Sequence, residues 1–351
     1  MMRLPEITQT GIAMNHANAG ALTDVAGLLV GHFTHPSRPT GCSVVLAPEG
    51  AVAGVDVRGA APGTRETDLL DAGNLVDQVH AIVLSGGSAF GLDSASGVMQ
   101  WLQEQQIGLP TAYGLVPIVP AAVLYDLAAY DSMHDARARP DAASGYRAAS
   151  VACSPNIEQG NVGAGSGAMV GKLFGMAHAM KGGLGQASVH ASVWTVSAMI
   201  ACNAVGDVVS ERDASVLAGA REHTGAVFLN TEQALLRGDK RLSPLVGGNT
   251  TIGVIACDAL LDKAQAKRLA MSAHDGLARV IRPAHTLLDG DTLFALATGT
   301  VTQTPDMVLL GVMAAQASAL ATVAAITHAQ GLPTVHGYVP SWADLQKTDQ
   351  T

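Results

Sequence analysis

Residues 247–254 read Gly-Gly-Asn-Thr-Thr-Ile-Gly-Val, a loop-like Gly247-Gly248-Asn249 running into a β-branched stretch. Two readings fit. One is an ordinary strand start. The other makes Thr250 a nucleophile. A threonine hydroxyl attacks weakly at neutral pH and needs a base beside it. A free α-amine on the same residue, with an ordinary pKa of roughly 7.7–8.0, would serve. That amine exists only if the Asn249–Thr250 bond is cut. Gly247 and Gly248 allow the positive-φ shapes that expose a carbonyl to attack.

A second cluster lies at 285–294, HTLLDGDTLF, where Asp289 and Asp291 stand two apart before a strand-like run. In strand geometry both carboxylates point the same way. The alternative is an Asp-Gly turn with a capping acid. Two neighbouring acids repel and call for a cation, which a Thr250 ammonium and Lys172 would supply.

Other chemistries fail on spacing. In GAGSGAMVGK (163–172) three residues separate Gly167 from Gly171, five separate Gly165 from it, and Leu173 follows Lys172, so the P-loop pattern is absent. The dinucleotide fingerprint breaks at Val170 or at Ala168. SGGSAFG (85–91) follows a strand and opens a helix, where an anion could sit, but close backbone packing is the better reading of these glycines. Gly-x-Ser-x-Gly is missing around Ser166, which has Ala164 and Ala168 on either side. The twelve histidines are scattered, and the close pair His32 and His35 has no carboxylate motif, so no metal site and no cofactor are expected.

The elements that must position these residues follow from periodicity. SVVLAPEG (43–50) and AVAGVDVRG (51–59) predict a hairpin. VHAIVLSGG (79–87) predicts a buried strand, followed by a helix from Ser88 to Gln103. Residues 128–147 are polar and loop-like. KGGLGQASVHASVWTVSAMIACNAVGDVVS (181–210) alternates as a long hairpin. Residues 229–248 are the most linker-like internal stretch and deliver the chain to Thr250. TIGVIAC (251–257) is a strand. Asp258 caps a helix running to about Val280, with Leu260, Leu261, Ala264, Leu269 and Leu277 as its apolar stripe. DTLFALATG (291–299) is a strand, and a helix covers about 305–330. Interspersed strands and helices with hairpin-like pairs favour a mixed α/β sandwich.

Composition narrows the partners. The chain has 351 residues, enough for a sizeable core, with 48% hydrophobic, 14% charged and 4% aromatic residues. A net charge of −9 without a basic cluster argues against nucleic acid or anionic membrane as partner. The Ala-rich stretch near 308–327 holds Gln316, Ser318 and Thr322 and reads as a buried helix. MMRLPEITQTG has no apolar signal core. Cys42, Cys153, Cys202 and Cys257 are isolated in apolar surroundings, which fits free buried thiols in a reducing cytoplasm.

Seven stretches together carry a family resemblance: VDVRGAAPGTRETDLL (55–70), VLSGGSAFGLDSASGV (83–98), GNVGAGSGAMVGK (160–172), CNAVGDVV (202–209), GNTTIGV (248–254), HDGLARVIRPAHT (274–286) and DGDTLFALATG (289–299). The chain resembles the P1 family of autoprocessing hydrolases. That family holds the L-aminopeptidase/D-amidase-esterases, the β-peptidyl aminopeptidases and the nylon-oligomer (6-aminohexanoate oligomer) endo-hydrolase. The resemblance implies a four-layer α/β/β/α sandwich of the N-terminal-nucleophile-hydrolase type. It implies one precursor that cuts itself into an α-chain, 1–249, and a β-chain, 250–351, which together form one structural domain. By position, Thr250 matches the nucleophile and new N-terminus, and Asn203 the amide that helps form the oxyanion hole. Lys172 matches the lysine near the nucleophile, Tyr125 the tyrosine lining the site, and Asp289 with Asp291 the acidic pair of the nylon-hydrolase branch. Aminopeptidase members commonly carry Ser as nucleophile and Ser-x-Glu for the acids, so Asn-Thr-Thr with Asp-Gly-Asp tilts this chain to the nylon-hydrolase side. The expected substrate is a small amide or short oligomer, the expected assembly a homo-oligomer of cleaved αβ units. An acyltransferase of the ornithine acetyltransferase type, which shares threonine self-cleavage, is the alternative. A non-enzymatic binding module, which never splits, is the third.

Overall fold

The computed structural model describes residues 20–129, 137–222, 227–239, 248–335 and 337–348. Its strands include β1 (Leu29–Thr34), β2 (Gly41–Val57), β3 (Gln78–Ser85), β4 (Ala121–Val123), β5 (Gly183–Ala191), β6 (Trp194–Asn203), β7 (Thr250–Ala259) and β8 (Thr292–Val301). The longer helices are α1 (Ser94–Glu104), α2 (Ala142–Ser150), α3 (Thr231–Arg237), α4 (Lys263–Val280) and α5 (Met307–Thr327).

The strands join in the order β5-β6-β7-β8-β2-β3-β4, with β1 on the free side of β2's first half. Neighbours are antiparallel except β7 with β8 and β3 with β4. β2 is long enough to serve two layers. Its residues 42–46 pair with β3, and its residues 52–57 pair with β8.

Side-chain alternation turns this path into four layers. On β7, Ile252, Val254 and Ala256 enter one core while Ile255 and Cys257 enter another. On β3, Ile82 and Leu84 share the core of Ile252 and Val254, while Ala81 and Val83 face α1 and α2. The middle core therefore lies between two sheets. The outer cores lie under α1 and α2 on one side and under α4 and α5 on the other. This is the α/β/β/α sandwich.

Several local expectations need correction. The stretch 43–59 is one strand with an irregularity between Leu46 and Ala51, where Gly50 takes φ +81°. The turn-like Pro48-Glu49-Gly50 is absorbed as a bulge because both halves keep pairing with β3. Within 128–147, Asp141 caps α2 through Ser144 N, so the end of that polar stretch is helical. Residues 130–136 lie outside the described residues. The linker-like 229–248 contains α3, and its part 240–247 lies outside the described residues. The cap of α4 is Asp262, which forms a capping box with Gln265; Asp258 is still in β7 and accepts from Thr195 N. Leu260 and Ala264 are exposed, and α4 buries Ala266, Leu269, Ala270, Ala273, Leu277 and Val280. Cys153 is exposed, whereas Cys42, Cys202 and Cys257 are buried. α5 is long and apolar enough to cross a membrane, but most of it is buried, packed on β5 and β6.

Candidate active site

Register brings the candidate residues together. Antiparallel pairing of β6 with β7 ends on Asn203 opposite Thr250. Parallel pairing of β7 with β8 sets Ile252 beside Thr292, and the same offset continues below the strands, where Asn249 bridges to Asp289. Thr250 thus lies beside Gly290, with Asp289 and Asp291 to either side. The chain segment after β2 clamps this loop: Ala61 N donates to Asp289 O (2.9 Å) and Arg58 N to Asp291 O (3.0 Å). A Cβ on Gly59 would fall 2.2 Å from Asp291 N, and one on Gly290 would fall 2.9 Å from Thr250 Oγ and 2.4 Å from Ala61 O. Both positions need glycine for close approach.

Thr250 is only 3% exposed. Its hydroxyl lies against the carbonyl oxygen of Asn249, which also accepts from Gly290 N (3.1 Å). Lys172 Nζ donates to Gly248 O (2.9 Å), Asn203 O (2.9 Å) and Asn203 Oδ1 (2.8 Å). Asn203 Oδ1 also accepts from Met169 N (3.0 Å), and Asn203 Nδ2 donates to Tyr125 O (3.0 Å). With two donors holding Oδ1, the amide's orientation is set, and Tyr125 takes one of its two N–H groups. Gly171, at φ +70°, turns the chain so that Lys172 leaves the Gly-rich loop toward β6, with Lys172 N donating to Val205 O.

The two acids have different partners. Asp291 Oδ1 accepts from Thr251 N (2.7 Å), and its Oδ2 accepts from His285 N (3.2 Å) and lies 2.7 Å from His285 Nδ1. Asp289 accepts from Val205 N (3.3 Å), Thr286 N (3.0 Å) and Thr286 Oγ (2.5 Å). Both precede β8, so strand alternation does not aim them the same way. Nor does Lys172 pair with them: among the described residues no ion pair joins it to either acid, because its three N–H bonds are spent on carbonyl and amide oxygens. The group against Asp291 is an imidazole.

Burial dominates the electrostatics. It lowers Lys172 to about 7, opposed by the charges of Asp289, Cys202, Asp126 and Asp291. Burial and then the neighbouring charge of Asp291 raise Asp289 to about 6. The site therefore holds two groups that titrate near neutrality.

A cavity of about 200 Å³ opens on this cluster. Lys172, Asn203, Gly248, Asn249 and Tyr125 line its floor, and Met169, Leu173, Met176, Val205 and Leu288 form apolar wall. All six candidate residues fall in this region: Thr250, Asn203, Lys172, Tyr125, Asp289 and Asp291. His285, Thr286 and Gly290 are also part of the constellation, and sequence pattern does not mark them. His285 lies within the HDGLARVIRPAHT stretch, but no spacing rule ties it to Asp291, and a scattered histidine reads as surface or core.

A recessed threonine just behind the Gly248-Asn249 lining of a cavity, with an amide, a lysine and paired acids around it on an α/β/β/α sandwich, fits an N-terminal-nucleophile-type hydrolase fold. Comparison with known proteins agrees. The profile of peptidase family S58 matches residues 20–339. An uncharacterized aminopeptidase of Mycobacterium tuberculosis is 42% identical over 351 residues, covering 91% of this chain and 98% of that protein. A 6-aminohexanoate-oligomer endohydrolase of Kocuria sp. is 31% identical over 280 residues, 78% of this chain and 74% of that one. Among solved structures, a Burkholderia sp. β-aminopeptidase superposes with a TM-score of 0.69 at 23% identity, covering 95% of this chain and 94% of the other. An L-aminopeptidase D-Ala-esterase/amidase from Ochrobactrum anthropi, described as a variant of the Ntn hydrolase fold, gives 0.67 at 20%, covering 94% and 93%. The chain belongs to peptidase family S58 and is a hydrolase acting on amide bonds.

Proposed function

We propose that this aminopeptidase-family amidohydrolase uses Thr250 as an N-terminal nucleophile, freed by its own cleavage of the Asn249–Thr250 bond. The supporting observation is the scissile geometry. The Thr250 hydroxyl lies against the Asn249 carbonyl, Gly290 N polarises that carbonyl, and Lys172 and Asp291 pin the chain on either side at Gly248 O and Thr251 N. In maturation, Oγ attacks the Asn249 carbonyl carbon and the Thr250 nitrogen leaves with a proton. Water then opens the resulting ester, leaving a carboxylate on Asn249. In turnover, the Thr250 amine takes the Oγ proton as Oγ attacks the substrate amide. The N–H of Asn203 not used on Tyr125 O would serve as oxyanion donor, a contribution typically worth about 3–4 kcal/mol. The released amine takes the proton, and water frees the acyl group.

The apolar cavity wall and the Asp289/Asp291 pair favour small, flexible, unbranched amides and ω-amino-acid oligomers. A Thr250 this recessed is closed to folded proteins. The cleaved units are read as a cytoplasmic homo-oligomer, checked by the mass in solution and by cell fractionation.

N-terminal sequencing of the smaller fragment should read Thr-Thr-Ile-Gly, and Thr250→Ala should leave one uncut band. An intact chain with full activity would sink the scheme. A panel of a β-alanyl amide, a D-alanyl amide, an L-alanyl amide and a linear 6-aminohexanoate oligomer tests the substrate class. Cleavage of the β- and D-amides with the oligomer untouched would move the chain to the aminopeptidase branch.

A further inference from the structure

Asp291 holds Thr251 N–H, one residue from the nucleophile, so whatever fixes this carboxylate fixes the threonine. Its Oδ1 is spent on Thr251 N. Its Oδ2 contacts one residue, His285, twice: through the backbone N–H at 3.2 Å and through Nδ1 at 2.7 Å. A carboxylate oxygen accepts from Nδ1 only when Nδ1 carries the proton, which sets the tautomer. His285 is itself held. Its ring meets His274 edge-on at 4.9 Å, and His274 Nε2 lies 3.0 Å from Asp56 O in β2. Burial lowers His274 to about 4, so it packs as a neutral ring. His285 Nε2 is buried with no partner among the described residues, so the ring's polar contact with the site runs through Nδ1 alone. The residue sits at φ +54°, a shape that costs a non-glycine residue energy and aims the ring at Asp291. It does not line the cavity.

We propose that His285 is a positioning residue: its Nδ1–H locks the Asp291 carboxylate, which in turn holds Thr251 N–H and aims Thr250 for both self-cleavage and turnover. The inference rests on the reading of Thr250 as nucleophile.

Two substitutions separate the donor from the backbone. Asn at 285 tolerates positive φ and offers an amide N–H near the place of Nδ1, whereas Gly tolerates positive φ and offers none. The full chain is followed by the splitting of pulse-labelled protein in cell-free translation. Turnover is followed with whichever amide of the panel above is best cleaved. His285→Gly should slow splitting at least about tenfold and lower kcat by a similar factor with KM within about twofold, as expected for a group that aims the nucleophile without touching substrate. His285→Asn should stay within about threefold of wild type on both measures. In an Asp291→Asn background, His285→Gly should cost nothing further, since it acts through that carboxylate.

The inference is overturned if His285→Gly behaves as wild type, if a folded His285→Asn is as slow as the glycine variant, or if the two losses in the double variant add. Thr250→Ala distinguishes the levels. If it still splits, the nucleophile reading fails. If it is dead while His285→Gly is unimpaired, only the role of His285 fails.

Discussion

Lys172 and Lys181 flank one short segment and are shifted in the same direction by the same cause, yet they sit in different kinds of place. Each ammonium donates to three oxygens, and desolvation lowers each to about 7, although Lys172 is only partly buried and Lys181 fully so. Lys181 is 0% exposed and reaches the carbonyls of Gly165, Ala168 and Gly182, the backbone of the Gly-rich loop and its neighbour. Lys172 reaches Gly248 O and Asn203, lines the cavity, and feels both Asp289 and Asp291. A lowered lysine pKa therefore does not mark chemistry by itself. Lys181 ties a loop together. Lys172 ties the Asn203 amide to the chain one residue before Asn249.

The sharpest way to break this contrast is a pair of substitutions. Lys172→Met should lower kcat by roughly 10²-fold, the scale of losing one properly placed polar group at an oxyanion site, and should slow splitting of the chain. Turnover and maturation at the wild-type rate would put Lys172 in the same class as Lys181.

Lys181→Met should do the reverse. It leaves Gly182 O and Gly165 O without this donor in a buried place, which costs about 1–3 kcal/mol. Denaturant unfolding of the uncut Thr250→Ala chain should show that loss, while kcat of the folded enzyme stays within about threefold. A large kcat effect at unchanged stability would overturn the assignment.

The smallest effect is in pH. A lysine whose folded pKa is depressed binds fewer protons folded than unfolded between about 7 and the ordinary value near 10.4. Stability from both lysines is therefore present at high pH and is lost as pH falls toward 7. Asp289 works the other way: raised to about 6, it contributes stability below the usual carboxylate range that is lost as pH rises through 6. In the Thr250→Ala chain, Asp289→Asn should flatten the slope between about pH 4 and 6, and each Lys→Met should flatten its own share above 7. An unchanged slope in Asp289→Asn would mean that Asp289 titrates as an ordinary surface acid.

Much of the fold was legible because its signals are local. The alternation in 181–203 is the β5–β6 hairpin, and 251–257 lies within β7. What misled was also local. Pro48-Glu49-Gly50 looks like a hairpin turn, but the turn signal cannot say whether the chain reverses; pairing of both halves of β2 with β3 decides that it does not. AASGYRAAS follows a run of charges and by composition belongs with that loop, yet Asp141 caps it, and Gly145 sits so close to Ser94 that a Cβ would fall 1.8 Å from its carbonyl oxygen. Helix-on-helix contact that tight leaves no apolar stripe to read.

The candidate site divides the same way. Residue types alone put Thr250 beside glycines, Asp289 beside Asp291 and Lys172 in a Gly-rich loop, and motif order carried Asn203 and Tyr125. Those are properties of single stretches of chain. That Asn203 stands opposite Thr250, that Asp291 holds Thr251 N–H while Asp289 turns to Thr286, and that His285 rather than Lys172 lies against the acid were decided only in the tertiary structure. The physical reason is register. A parallel pairing between strands about forty residues apart, and an antiparallel one across nearly fifty, are chosen by the packing of whole layers, and no local pattern encodes which atoms they bring within hydrogen-bond reach.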